Sequence, residues 1–104
     1  LGTNVRRRSV MKEITPKEVE RLVNPNIIDV RETDEVAAGH IPGSVNIPLG
    51  LLEFRLHELD KTKEYIIVCR SGARSGRATE FLSSHGFHAT NMVGGMMNWE
   101  GNVQ

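Results

Sequence analysis

The chain holds a single cysteine, Cys69, and the residues after it are of types that could do chemistry with it. Arg70, Ser71, Gly72, Ala73, Arg74 and Ser75 follow directly, and Arg77 stands close behind. This concentration of arginine falls in a chain whose 13 Lys and Arg are balanced by 13 Asp and Glu. Tyr65-Ile66-Ile67-Val68 reads as a strand and residues 74–85 as a helix, so Cys69 stands at a strand's carboxyl end before a tight turn into a helix N-terminus. Successive backbone N–H groups of such a turn converge on one space, and together with the helix dipole they cradle an anion. A thiol facing them, with guanidinium charge nearby, loses its proton more readily than an ordinary thiol. A lone cysteine after a buried strand is otherwise an inert core residue. The arginines, serines and glycine favour a nucleophile, because a core cysteine has no use for an anion cradle.

Two chemistries use a thiolate so placed. Cys-x5-Arg phosphatases and the related arsenate reductases need an arginine six residues after the cysteine, to clamp three oxygens. Ser75 holds that position here, and Arg74 comes one residue earlier. The loop is thus expected to be too short for a phosphate-sized tetrahedron on sulfur. Nor is there a second cysteine to resolve an adduct within the chain. A smaller species, one transferred sulfur atom, suits the loop better.

The elements that must position Cys69 can be read on either side. Residues 1–10, with Arg6, Arg7 and Arg8, lack periodicity and are expected to be a solvated arm or an expression remnant ahead of a domain over residues 11–104. A first strand is expected near residues 12–14. Thr15-Pro16-Lys17-Glu18 is a helix start with a capping box, and Asn24-Pro25-Asn26 stops that helix. Ile27-Ile28-Asp29-Val30 is a buried strand of the parallel kind. Residues 33–38 read as a short helix, and Pro42-Gly43 fits the centre of a type II turn. Val45-Asn46-Ile47 is a further strand, and Leu51, Leu52, Phe54, Leu56 and Leu59 suggest a helix of blurred periodicity. Gly86 is the expected left-handed stop of the helix after Cys69. Residues 89–93 form a last strand, and residues 95–100 a last short helix. Strands alternating with helices predict one α/β domain with a mostly parallel sheet.

These segments carry a resemblance. Cys69-Arg70-Ser71-Gly72-Ala73-Arg74-Ser75 is similar to the active-site loop of the single-domain rhodaneses, the thiosulfate sulfurtransferases. Ile28-Asp29-Val30-Arg31 resembles that family's strand ending in Asp-x-Arg. Gly39-His40-Ile41-Pro42-Gly43-Ser44 followed by Asn46-Ile47-Pro48 resembles its turn, with Ser44 where alanine is commoner. Gly94-Gly95 followed by Trp99 resembles its C-terminal motif. The likeness runs from about residue 11 to residue 101, and the motifs occur in the family's order.

The resemblance implies a rhodanese-like fold with a central five-stranded sheet flanked by helices. It also implies a sulfurtransferase in which the Cys69 thiolate takes the outer sulfur of thiosulfate or a persulfide donor. The resulting persulfide then passes that sulfur to cyanide or a thiol. Substrate would be held by Arg70, Ser71, Gly72, Ala73, Arg74 and Ser75, their N–H groups acting as an oxyanion hole does. Arg70 is expected as the exposed contact and Arg74 as bound in part to the loop. Ser75 would either donate to the persulfide or cap the helix. Asp29 and Arg31 would support the cradle, Arg31 by binding carbonyls of the loop. A sulfur-relay carrier with a protein donor or acceptor is the alternative, ahead of a catalytically idle interaction module, which would lack the cysteine, and of the phosphatase class.

Other residues add less. His40 stands in a turn, where packing or hydrogen bonding is a better role than catalysis. His57, His85 and His88 have no carboxylate or thiol set to make a metal site, and no metal is expected. Met92, Met96, Met97 and Trp99 are expected to close the core, with Met96 able to face the substrate. Nucleotide-binding glycine motifs are absent, so no cofactor is expected. Zero net charge disfavours nucleic acid as a partner, and no apolar run is long enough for a membrane span. One unpaired cysteine fits a reducing, cytoplasmic compartment.

Overall fold

A computed structural model describes residues 10–104. The expectation for residues 1–10 therefore lies outside the described residues, apart from Val10, which is exposed. The described residues form one five-stranded sheet, with β1 at Glu13–Ile14, β2 at Asn26–Asp29, β3 at Val45–Asn46, β4 at Glu64–Val68 and β5 at His88–Met92. The order is β1-β5-β4-β2-β3, and every neighbouring pair is parallel. Three α-helices connect and flank them, α1 at Pro16–Glu20, α2 at Thr33–Ala37 and α3 at Ala73–Ser84. Among the described residues no helix is long and apolar enough to cross a membrane.

The period-two alternation of the central strands builds a separate core on each face. Ile28, Val30, Tyr65, Ile67 and Cys69 pack on one side with Leu52 and with Ala78 and Leu82 of α3. Ile27, Ile66 and Val68 pack on the other with Val19 of α1, Ile41 and Met92. Cys69 thus continues the row of Tyr65 and Ile67, which turns its sulfur toward the α3 side. Thr15 caps α1 through the expected reciprocal capping box with Glu18. Gly86 ends α3 at a positive φ of 87°, the left-handed stop expected there.

Three expectations change. Residues 51–59 form no α-helix but two 3-10 segments, Leu49–Phe54 and Leu56–Glu58. Leu49 and Leu52 recur at a spacing of three, which a 3-10 turn brings to one face, whereas Phe54 is left 69% exposed. The last helix is likewise a 3-10 segment, Gly95–Asn98. Met97 does not close the core, because that short turn directs it outward, and it is 64% exposed.

Candidate active site

Val68 ends β4 and α3 begins at Ala73, so only Cys69 to Gly72 separate strand from helix. Gly72 takes the N-cap position with φ 107°, a backbone conformation L side chains rarely adopt, and it turns the chain through the sharp corner. Arg74 and Ser75, the last two residues of the motif, lie in the first turn of α3, within the helix expected over residues 74–85. The loop's carbonyls are occupied from outside. Met96 N–H donates to the Cys69 carbonyl at 2.9 Å and Met97 N–H to that of Arg70 at 3.0 Å. Gly95 permits this approach, since a Cβ there would collide with the Arg70 and Cys69 carbonyls. With the Cys69 and Arg70 carbonyls held by the Gly95–Asn98 segment, the loop is fixed in a shape that leaves Gly72 N–H for the sulfur.

Gly72 N–H donates to Cys69 Sγ at 3.0 Å, and Ser75 Oγ lies 3.2 Å from the same sulfur. Cys69 is 1% exposed, and burial pushes its thiol up. The Ser75 hydroxyl and the backbone N–H groups of Ser75, Gly72 and Ser71 outweigh burial, so the thiol lies below its ordinary range. Ser75 does not cap α3, because Gly72 does. It is wholly buried, with its hydroxyl aimed at the sulfur and at Asn91 Oδ1, 2.5 Å away.

The arginines divide. Arg74 forms a two-pronged pair with Glu35 of α2, at 2.7 and 2.8 Å. That contact holds the Glu35 carboxyl down at about 2, with a backbone hydrogen bond from Glu32 helping. Arg70 and Arg77 are exposed. Arg31 binds none of the cysteine loop's carbonyls. Its guanidinium grips Asp29 at 2.7–3.1 Å and donates to the Gly39 carbonyl at 2.8 Å. It therefore braces the Gly39–Ser44 turn, because its side chain folds back over its own strand end. Ser44 N–H closes that turn on the Ile41 carbonyl at 3.0 Å. His40 Nδ1 lies 3.2 Å from the Val36 carbonyl, a hydrogen-bonding contact from that turn back to α2.

Sequence reasoning missed Glu35 and Asn91. An asparagine in a strand that the sheet buries was the available signal for the second, since a buried amide must have partners. Glu35 offered none, being one acid among several on α2.

A thiol in an N–H cradle at the carboxyl end of a parallel sheet defines a class of α/β proteins built around a cysteine-anion loop. Within it, residues 15–102 match the family described as "Rhodanese-like domain", and the chain belongs to that family. It is 47% identical over 78 residues to "Putative sulfurtransferase YtwF" of Bacillus subtilis, covering 75% of this chain and 76% of that protein. It is 45% identical over 80 residues to "Putative sulfur carrier protein YrkF" of the same organism, covering 76% of this chain but 43% of the relative. The crystal structure of a rhodanese-like domain protein from Staphylococcus aureus superposes with a TM-score of 0.86 at 34% identity, covering 90% of this chain and 97% of that one. The expected rhodanese-like fold is therefore the observed one.

Proposed function

We propose that the protein is a sulfurtransferase that carries sulfane sulfur as a persulfide on Cys69. The observation that supports this most is the sulfur's position, 3.0 Å from Gly72 N–H in a loop whose Cys69 and Arg70 carbonyls are bound by the Gly95–Asn98 segment. The thiol gives its proton to solvent, and the thiolate attacks the outer sulfur of a donor such as thiosulfate. A sulfur–sulfur bond to Cys69 forms as the donor's sulfur–sulfur bond breaks, and sulfite leaves with the electron pair. The negative charge then sits on the outer sulfur, where the N–H groups of residues 70–75 stabilise it as they would an oxyanion. Cyanide or a thiolate attacks that sulfur, and the electron pair of the broken bond returns to Cys69. Arg70 attracts the donor's sulfonate, since Arg74 is engaged by Glu35. Asp29 and Arg31 hold the neighbouring turn and touch no reactant.

A second reading, a carrier that exchanges the sulfur with a protein, draws on the similarity to YrkF and on exposed Met97, whose N–H binds the Arg70 carbonyl at the loop. Incubation of the reduced protein with thiosulfate followed by intact mass measurement tests both. A gain of one sulfur atom in the parent but not in Cys69→Ser, discharged by cyanide, is expected. Loading without appreciable steady-state turnover would favour the carrier, and no loading from thiosulfate or a glutathione persulfide would contradict the transferase reading and leave only a carrier charged by a protein donor.

A further inference from the structure

Behind the sulfur lies a buried polar chain that sulfur transfer alone does not explain. Cys69, Ser75 and Asn91 are 1%, 0% and 4% exposed. Cys69 Sγ lies 3.2 Å from Ser75 Oγ, Ser75 Oγ lies 2.5 Å from Asn91 Oδ1, and Asn91 Nδ2 lies 3.3 Å from the Gly72 carbonyl. The Gly72 carbonyl fixes the amide's orientation. Flipping Asn91 would set its oxygen against that carbonyl, so Oδ1 must face Ser75. An amide oxygen carries no hydrogen, so the serine hydroxyl is the donor of the short contact, and it has only one proton to give.

We infer that Asn91 is a positioning residue that competes with the Cys69 sulfur for the single proton of the Ser75 hydroxyl. The inference rests on the proposed persulfide chemistry only for its consequence. In the thiol form every group is satisfied: S–H donates to Ser75, Ser75 to Asn91, and Asn91 to Gly72. Once the thiol ionises it has nothing to donate. Ser75 must then turn to the thiolate, leaving a buried Asn91 oxygen without its donor, or stay with Asn91 and present lone pairs to the negative sulfur. Both outcomes cost free energy. In the persulfide the charge has moved to the outer sulfur and the inner one is a weak acceptor, so Ser75 returns to Asn91 without loss. Asn91 therefore disfavours the bare thiolate relative to the persulfide, and it biases the site toward holding sulfur.

Among the charged and titratable groups on the elements around the sulfur are Arg70, Arg74 with Glu35, Glu32, the Asp29–Arg31 pair and Lys12 beside β5, with Arg77 and Glu80 exposed on α3, Asp34 on α2, and Glu64 and His88 at the far ends of β4 and β5. Substituting Asn91 alters none of them. Gly72's carbonyl also keeps the Gly76 N–H at 3.0 Å when the asparagine is gone.

Titration of the Cys69 thiolate by its ultraviolet absorbance, with Cys69→Ser as blank, needs no sulfur donor and so stands apart from the transferase reading. Asn91→Leu, which keeps shape but removes the acceptor, is expected to lower the midpoint by about half to one pH unit, the worth of one hydrogen bond. Ser75→Ala is expected to raise it. The double variant should match Ser75→Ala alone, because Asn91 acts only through the serine proton. An unchanged or raised midpoint in Asn91→Leu, or additive effects in the double variant, would overturn the inference, since mere support of the loop cannot make the thiolate easier to form. In the unmodified protein the Asn91 side-chain carbonyl resonance should move with the same midpoint as the thiolate. A resonance indifferent to that titration would overturn the inference even if the variants failed to fold.

Discussion

Two arginine–carboxylate pairs flank the cysteine loop and are alike in local geometry but not in setting. Arg31 and Asp29 share their strand end, with side chains only 8% and 1% exposed. Arg74 and Glu35 join α3 to α2, with side chains 29% and 28% exposed. The first pair is cut off from water and gains a further acceptor in the Gly39 carbonyl, so losing one member strands a buried charge. The second pair stands where water screens and solvates both partners. One arginine thus holds the fold together, while the other tunes how much positive charge the site's mouth displays. Neither is a free anion trap, which leaves the Ser75 hydroxyl and the loop's N–H groups as the groups that meet the sulfur.

That contrast can be broken most forcefully at Arg31. Arg31→Ala is expected to cost about 3–5 kcal/mol of stability by leaving Asp29 unpaired, measured by denaturant unfolding. Arg31→Lys should recover only part of this, since an ammonium cannot use Nε and Nη2 together and also reach Gly39. A loss below about 1 kcal/mol in Arg31→Ala would mean that the two pairs do not differ as described.

Glu35→Gln sharpens the comparison from the other side. Stability should change by no more than about 1 kcal/mol. Arg74 is released, so the KM for thiosulfate should fall several-fold with kcat nearly unchanged, as for gained uniform binding. An unchanged KM would mean that Arg74 cannot reach the donor even when free.

The smallest expected effect is in acid. Glu35 is held at about 2 in the folded protein, against 4.5 ordinarily. A carboxyl lowered by folding contributes stability that is complete above its ordinary value and lost as pH falls toward the folded one. The stability difference between parent and Glu35→Gln should therefore be level above about pH 5 and shrink toward pH 2. Solvent exposure keeps its size modest.

Much of this arrangement was legible in the residue pattern, and the reason is local. The alternation of Tyr65 to Cys69 set the sulfur's face, and the Thr15 capping box and the Gly86 stop depend on neighbours a few residues away. The blurred apolar spacing of residues 51–59 hid a 3-10 period, because a spacing of three in one short run differs little from a broken helix. The contacts that shape the site were not legible. Ser75 meets Asn91 because β4 and β5 pair with Ile67 opposite Asn91, a register that only the assembled sheet fixes. Arg74 meets Glu35 across 39 positions of chain, and an arginine's choice of partner leaves no periodic trace.

The rate of persulfide loading from thiosulfate, followed by intact mass as a function of pH, tests most directly whether hydrogen bonds prepare the sulfur. Burial opposes ionisation, and the Ser75 hydroxyl with the N–H groups of Ser75, Gly72 and Ser71 overcomes it. Loading should therefore reach its maximum at a lower pH than an ordinary thiol would allow, and fall as pH drops through that lowered range. A rate that instead rises with the titration of an unperturbed thiol, near pH ~8.5, would contradict the N–H cradle as the source of the reactive thiolate.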